Sequence, residues 1–149
     1  MSLGSHFDTP PIVMDTNVLV AGACRHEGSP AYQVLLAVLN QRVPLMMTEA
    51  IALEYLDVLQ RPRVLAITGL THEQSADLVT DLIGLSHEVQ INFAWRPNLT
   101  DERDNKFVEA AIHATATIIT YNQRDFVCGD LQPFGWSVMN PQEFVTRYL

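Results

Sequence analysis

Short apolar runs with the composition of buried strands alternate along this chain with longer segments that carry helix signals. The predicted strands cover residues 11–14, 43–47, 88–91, 117–120 and 137–139. Strands that are separated by helices cannot pair as hairpins, because the chain must cross over a helix before it joins the next strand. The sequence therefore predicts an α/β protein whose mostly parallel central sheet is covered by helices on both faces.

The helices are predicted from the residues that cap them and from their apolar faces. They begin after Ser29, Thr48, Thr71, Asp104 and Asn140. The helix after Thr48 runs to Leu59, and the Arg61-Pro62 pair is expected to end it, because proline cannot continue a helix.

One domain accounts for the 149 residues, of which 48% are hydrophobic. Residues 1–10 are expected to form a flexible leader, and residues 11–149 a single domain. No apolar run approaches the roughly 18–20 residues that span a bilayer, and the start does not resemble a signal peptide. Cys24 and Cys128 lack the spacing of a zinc site or a redox pair. These features predict a cytoplasmic protein with no membrane segment.

The formal net charge of −8 argues against a protein that grips nucleic acid through a broad basic face. It does not exclude a nuclease, because acidic side chains gathered around a cation site would carry much of the excess charge. Bound divalent ions would then reverse the local field where a phosphate must lie.

Acidic and amide side chains come at or after the ends of the predicted strands. Asp15 directly follows the first strand, Glu54 lies among apolar neighbours in the helix after the second, and Asp104 precedes an apolar helix. Asn122 and Asp125 follow the fourth strand. In parallel sheets, ligands bind beyond the carboxyl ends of the strands. Taken alone, Asp15 is better explained as a helix cap or a turn residue, and Asn122 and Asp125 as parts of a polar loop. Asp104 suits a helix N-terminus whatever its function.

Together, these side chains predict a metal site at one edge of the sheet. Clustered carboxylates repel one another unless a cation bridges them. Oxygen ligands without histidine or cysteine favour Mg²⁺ or Mn²⁺. Thr16, Asn17 and Thr120 are expected to orient the carboxylates, or waters on the metal, through hydrogen bonds.

Four parts of the chain resemble the PIN domain family. They are Ile12-Val13-Met14-Asp15-Thr16-Asn17-Val18-Leu19-Val20, Glu54 with its neighbours, Asp104-Asn105-Lys106-Phe107, and Thr120-Tyr121-Asn122-Gln123-Arg124-Asp125-Phe126. The resemblance extends from about Pro11 to Leu149. It looks closest to bacterial VapC-like toxins of toxin–antitoxin pairs.

The resemblance implies a three-layer α/β/α sandwich and a site of three or four acids that binds Mg²⁺ or Mn²⁺. By position, the first three metal ligands and catalytic residues are Asp15, Glu54 and Asp104. The fourth position falls within residues 122–125, where Asn122 stands soonest after Thr120. The sequence leaves open whether Asn122 or Asp125 completes the site, and whether the site holds one metal or two.

The resulting hypothesis is a metal-dependent endoribonuclease that hydrolyses phosphodiester bonds of single-stranded RNA. The resemblance adds a role as a toxin, with an antitoxin as partner, and a homo-oligomeric state.

Arg103, Lys106 and Arg124 are candidates for phosphate contact, although ordinary surface charges explain them equally well. The alternatives are a non-catalytic PIN-like scaffold and an RNA-processing nuclease outside any toxin system. A phosphatase with an aspartyl nucleophile is disfavoured, because Asn17 stands where its second aspartate would be.

Overall fold

Parallel strands form the centre of the protein. The computed structural model describes residues 7–89, 105–126 and 135–149. Its strands are β1 (Ile12–Met14), β2 (Met46–Met47), β3 (His87–Glu88), β4 (Thr117–Ile119) and β5 (Ser137–Met139). Its helices are α1 (Thr16–Ala23), α2 (Pro30–Leu39), α3 (Glu49–Leu59), α4 (Pro62–Thr68), α5 (His72–Leu85), α6 (Asn105–Ala114) and α7 (Pro141–Tyr148), with a 3₁₀ turn at Gln123–Phe126.

The strands pair in parallel in two groups that a single bridge connects. β4 lies between β1 and β5, and β2 pairs with β3. A parallel bridge between Ile12 and Leu45 joins the groups, and the Ile12 N–H donates to the Pro44 carbonyl at 2.9 Å. The carboxyl ends of these strands therefore lie at one edge. The α/β fold with parallel sheets that the sequence predicts is confirmed.

Every residue of β1 and β4 is buried, so both faces of these strands are covered. This burial is typical of parallel sheets between helical layers. Helix α6 packs against β1, β2 and β4, while α1 and α7 both pack against α2. None of the described helices is both long enough and apolar enough to cross a bilayer.

Two helices of the structure were not predicted from the sequence. Helix α1 follows Asp15 at once, and its valines and glycine have low intrinsic helix propensity, so its packing against α2 stabilises it. Pro62 does follow the end of α3 as predicted, but it also begins α4. Proline suits the first helical position, where its missing N–H would have no helical partner.

The strands β2 and β3 differ from their predicted bounds. β2 is limited to Met46–Met47 instead of residues 43–47, because Pro44 has no N–H to donate to a ladder. β3 covers His87–Glu88 instead of residues 88–91, and residues 90 and 91 lie outside the described residues. Phe7, within the predicted leader, packs edge-on against His87 with the ring centroids 6.0 Å apart.

Gly22 allows α1 and α2 to approach each other closely. A Cβ atom at this position would lie 3.0 Å from the Ala31 carbonyl oxygen and 3.2 Å from the Leu35 Cβ. Both atoms are fixed to the α2 backbone, so the helices would have to separate to admit a side chain. Gly84 of α5 offers a contrast, because a Cβ there has no heavy atom within 4 Å.

We expect Gly22→Ala to lower the free energy of unfolding by about 1–3 kcal/mol through overpacking. Gly84→Ala should raise it by up to about 1 kcal/mol, because alanine loses less backbone entropy than glycine in a helix. Denaturant unfolding of both variants measures these changes. A Gly22→Ala variant as stable as Gly84→Ala would mean that the contact between α1 and α2 is looser than described here.

Candidate active site

Asp15 lies where β1 ends and α1 begins. Its backbone N–H extends the ladder by donating to the Ile119 carbonyl at 3.0 Å, and its residue exposure is only 6%. The Thr120 hydroxyl donates to Asp15 Oδ2 at 2.7 Å. Thr120 follows β4 as Asp15 follows β1, so the parallel pairing of the two strands brings these side chains together.

Glu54 of α3 lies at the same edge, between α1 and α6. The Thr16 hydroxyl donates to Glu54 Oε2, and Lys106 Nζ donates to Oε1 at 2.9 Å. The side chains of Lys106 and Glu54 are 23% and 25% exposed, so this ion pair is partly screened by solvent. Three helices thus converge on one carboxylate. The sequence predicted Lys106 as a phosphate contact, and the structure places it against Glu54.

Tyr55 is a member of the site that the sequence analysis missed. Its fully buried hydroxyl donates to the Met14 carbonyl, the peptide group that precedes Asp15. Burial, followed by the charges of Asp15 and Glu54, raises the pKa of Tyr55 well above its ordinary value, so the hydroxyl stays neutral and remains a donor. The apolar neighbours of Glu54 were the available signal, because they place Tyr55 on a buried helix face.

Burial raises the pKa of Asp15 above its ordinary value, and the negative charge of Glu54 raises it further. The hydrogen bond from Thr120 opposes this shift, as do the backbone N–H groups of Thr16 and Asn17. Within the described residues, no cationic side chain pairs with Asp15. The hydrogen bonds to Asp15 therefore do not fully offset its burial, and its pKa stays above the ordinary value.

Asn122 and Asp125 lie beyond β4 and are both exposed. The Asn122 N–H donates to the Thr120 hydroxyl at 3.0 Å, so Thr120 is fixed from one side while it donates to Asp15. In the part of the chain that the structure describes, no hydrogen bond joins either side chain to Asp15 or Glu54. Residues 121–125 instead line a pocket of about 320 Å³.

The remaining predicted residues are placed as follows. Asn17 is exposed in the first turn of α1, whereas Thr16 is buried. Arg124 is exposed and lines the pocket beyond β4. Asp104 and Arg103 lie outside the described residues.

Hard divalent cations suit the donors present at this edge of the sheet. Across residues 7–89, 105–126 and 135–149, no three acidic, histidine or cysteine side chains form a metal-binding group. The carboxylates of Asp15 and Glu54 interact electrostatically, and the nearby side-chain acceptors are oxygens. Such a pair fits Mg²⁺ or Mn²⁺, which take a few carboxylates and leave other positions to water and phosphate.

We expect Asp15→Asn to raise the melting temperature of the metal-free protein at pH 7. An acid whose pKa is raised by folding stabilises the fold when protonated, and this contribution is lost as the pH rises from its unfolded value through its folded value. The difference in melting temperature between the variant and the parent should shrink as the pH falls to about 3, below the unfolded pKa, where Asp15 is mostly protonated in both the folded and the unfolded state. Thermal unfolding in a chelator from acid to neutral pH measures it.

Asp57→Asn is the matched control for this measurement. Asp57 lies on the surface of α3 and pairs with Arg61 at 2.7 Å, with both side chains more than half exposed. Its loss should change the free energy of unfolding by no more than about 0.5 kcal/mol. A melting temperature of Asp15→Asn at or below that of the parent at pH 7 would contradict the incomplete compensation of Asp15.

Comparison with known families agrees with the fold. The PIN domain model matches residues 11–124, which is more than half of the chain. No curated protein matches the sequence. PIN domains are generally nucleases that use divalent metal ions and bind RNA. The chain described here belongs to the PIN domain family.

Proposed function

We propose that this chain is a metal-dependent endoribonuclease that hydrolyses phosphodiester bonds of single-stranded RNA. The observation that carries the proposal is the buried carboxylate of Asp15, which lies beside Glu54 at the carboxyl edge of a parallel sheet. Burying a charge without an oppositely charged partner is costly, so a bound cation would stabilise the charged form of Asp15. Membership of a family of nucleases agrees with this reading.

In this proposal, Asp15, Glu54 and Asp104 hold Mg²⁺ or Mn²⁺, and Asn122 or Asp125 completes the site. The ion would supply a Lewis acid that activates water and stabilises charge on the phosphate. The Thr120 hydroxyl donates to Oδ2 of Asp15 and would hold this carboxylate in position for the ion. Glu54 is held at both oxygens, since Thr16 donates to Oε2 and Lys106 donates to Oε1.

Lys106 has two tasks in this proposal. It neutralises part of the charge on Glu54, to which it donates at 2.9 Å, and so limits repulsion between Glu54 and Asp15. With an ion on the carboxylates, its ammonium group would be near enough to attract a phosphate of the RNA. Arg124, in the pocket beyond β4, would attract an adjacent phosphate, and Arg103 remains a further candidate.

We also propose that the nuclease is the toxin of a toxin–antitoxin pair, acts in the cytoplasm and forms a homo-oligomer that an antitoxin protein inhibits. The resemblance to VapC-like proteins supports this finer assignment. Induced expression of the parent should arrest bacterial growth, whereas expression of Asp15→Asn should not. Normal growth with an active parent would instead favour an RNA-processing nuclease.

The central test is cleavage of labelled single-stranded RNA by the purified chain. We expect cleavage with Mg²⁺ or Mn²⁺, none with a chelator, and near-complete loss in Asp15→Asn, Glu54→Gln and Asp104→Asn, because each substitution removes a negative charge from the metal site. Asp57 is an acid on the exposed surface of α3, so the Asp57→Asn variant should cleave RNA as the parent does.

Cleavage that is independent of metal, or that survives in Asp15→Asn, would disprove the mechanism. A folded parent that cleaves no RNA would favour the scaffold alternative.

The role of Thr120 provides a second prediction. Thr120→Val keeps the shape of a fully buried side chain but removes the donor to Asp15. We expect metal affinity or activity to fall by about 10–100-fold, as for other groups that orient a ligand. Calorimetric titration with Mn²⁺ and RNA cleavage measure the two effects.

Thr117→Val is the matched control, because Thr117 lies on the same strand and its hydroxyl bonds to Ser137 at 2.8 Å, away from the acids. The Thr117→Val variant should be less stable than the parent but should bind the metal with the same affinity. Equal effects of the two substitutions would mean that Thr120 contributes only to the strand and not to the site.

A further inference from the structure

Tyr121 directly follows the threonine that holds Asp15. Its side chain is 51% exposed, and it is the only aromatic one among the exposed large hydrophobic residues of the described chain. The preceding residue is anchored on three sides, since the Thr120 N–H donates to the Met139 carbonyl at 3.0 Å while its hydroxyl bonds to Asp15 and Asn122. Tyr121 is thus an exposed residue whose backbone directly follows the residue that donates to Asp15.

The surroundings of this ring form a pocket of about 320 Å³, lined by Tyr121, Asn122, Gln123, Arg124 and Asp125. This volume is at the lower end of the range for small-molecule sites, and suits one group of nucleotide size. Its walls combine an aromatic face with amide, guanidinium and carboxylate groups. Aromatic rings stack on nucleobases, and an amide such as that of Gln123 can pair with the edge of a base.

The charge of the chain makes such a pocket important for binding. With 9 basic and 17 acidic residues, the protein gains little affinity for RNA from a general electrostatic attraction. Affinity beyond the metal site must then come from local contacts. Stacking of bases on aromatic side chains is the contact that does not depend on net charge.

We propose that Tyr121 stacks on a nucleobase of the RNA next to the phosphate that is cleaved, and that the pocket of residues 121–125 is the subsite for that nucleotide. This inference rests on the proposed ribonuclease function and names a substrate contact within it. Tyr121 positions the strand so that the adjoining phosphate meets Asp15 and Glu54. It takes no part in the chemical step.

The test is the binding of a fluorescein-labelled single-stranded RNA oligonucleotide of mixed sequence, followed by anisotropy in Mg²⁺. Asp15→Asn serves as the parent so that the RNA stays intact. Adding Tyr121→Ala should weaken binding by roughly 5- to 150-fold, the range expected for one base stacked on an aromatic ring. Tyr121→Phe keeps the ring and should bind within about twofold of the parent. Ile67→Ala removes an equally exposed apolar side chain from α4 and should have no effect.

A set of oligonucleotides, each with one abasic position, links the effect to a particular base. One abasic position should weaken binding to the parent but not to the Tyr121→Ala variant, because the stacking partner is already absent. Unchanged binding of Tyr121→Ala, equal losses in Tyr121→Ala and Tyr121→Phe, or additive abasic effects would overturn the inference. Cleavage by the wild-type chain, assayed in parallel, separates this failure from failure of the proposed function, in which neither cleavage nor binding is seen.

Discussion

The parallel register of β1 against β4 determines the geometry of the candidate site. Met14 lies opposite Ile119, so the residues that follow the two strands, Asp15 and Thr120, meet at the same level of the sheet. A slip of one residue would separate the hydroxyl from the carboxylate and would turn buried side chains towards the opposite face. The pairing that builds the core therefore also aligns the acid, and the fold cannot form correctly while the site is misaligned.

This arrangement places an ionisable group where the metal-free fold would be more stable without its charge. Domains retain only about 5–15 kcal/mol of net stability, so one poorly compensated carboxylate is a substantial burden. Packing elsewhere helps to offset this cost. It includes the buried strands β1 and β4 and the edge-to-face pair of Phe107 and Phe126, whose centroids are 6.5 Å apart. Metal binding requires the charged form of Asp15, whereas the stability of the metal-free fold favours an uncharged group at this position.

The sequence located the strands and the starts of α2, α3, α5, α6 and α7, because apolar runs and capping residues are local signals. It also brought Asp15, Glu54 and Thr120 to one edge, since parallel strands share the direction of their carboxyl ends. The sequence did not indicate which threonine hydroxyl donates to which carboxylate. The bonds from Thr16 to Glu54 and from Thr120 to Asp15 depend on how α1 and α3 pack against the sheet.

Other features were hidden because they arise only from tertiary packing. In the sequence, Tyr55 is one of several apolar neighbours of Glu54. Its role becomes visible only in the folded protein, where the Tyr55 hydroxyl donates to the Met14 carbonyl. Lys106 cannot be distinguished from a surface charge in the sequence, because its bond to Glu54 depends on the packing of α6 against α3. The helix α1 has weak local propensity and forms because α2 covers it. Local chemistry thus predicted where groups would gather, and long-range packing decided how they pair.

The hydrogen bond from Thr120 to Asp15 joins residues 105 positions apart, and this separation has a consequence for the newly made chain. At about 5–20 residues per second, a ribosome makes β1 roughly 5–20 seconds before it reaches Thr120. During that interval Asp15 has neither its neighbouring strand nor its hydroxyl partner, and its carboxylate stays in water. Lys106 also follows Glu54 by 52 positions. The acids of the nascent chain therefore remain unassembled until β4 has been synthesised and has paired with β1.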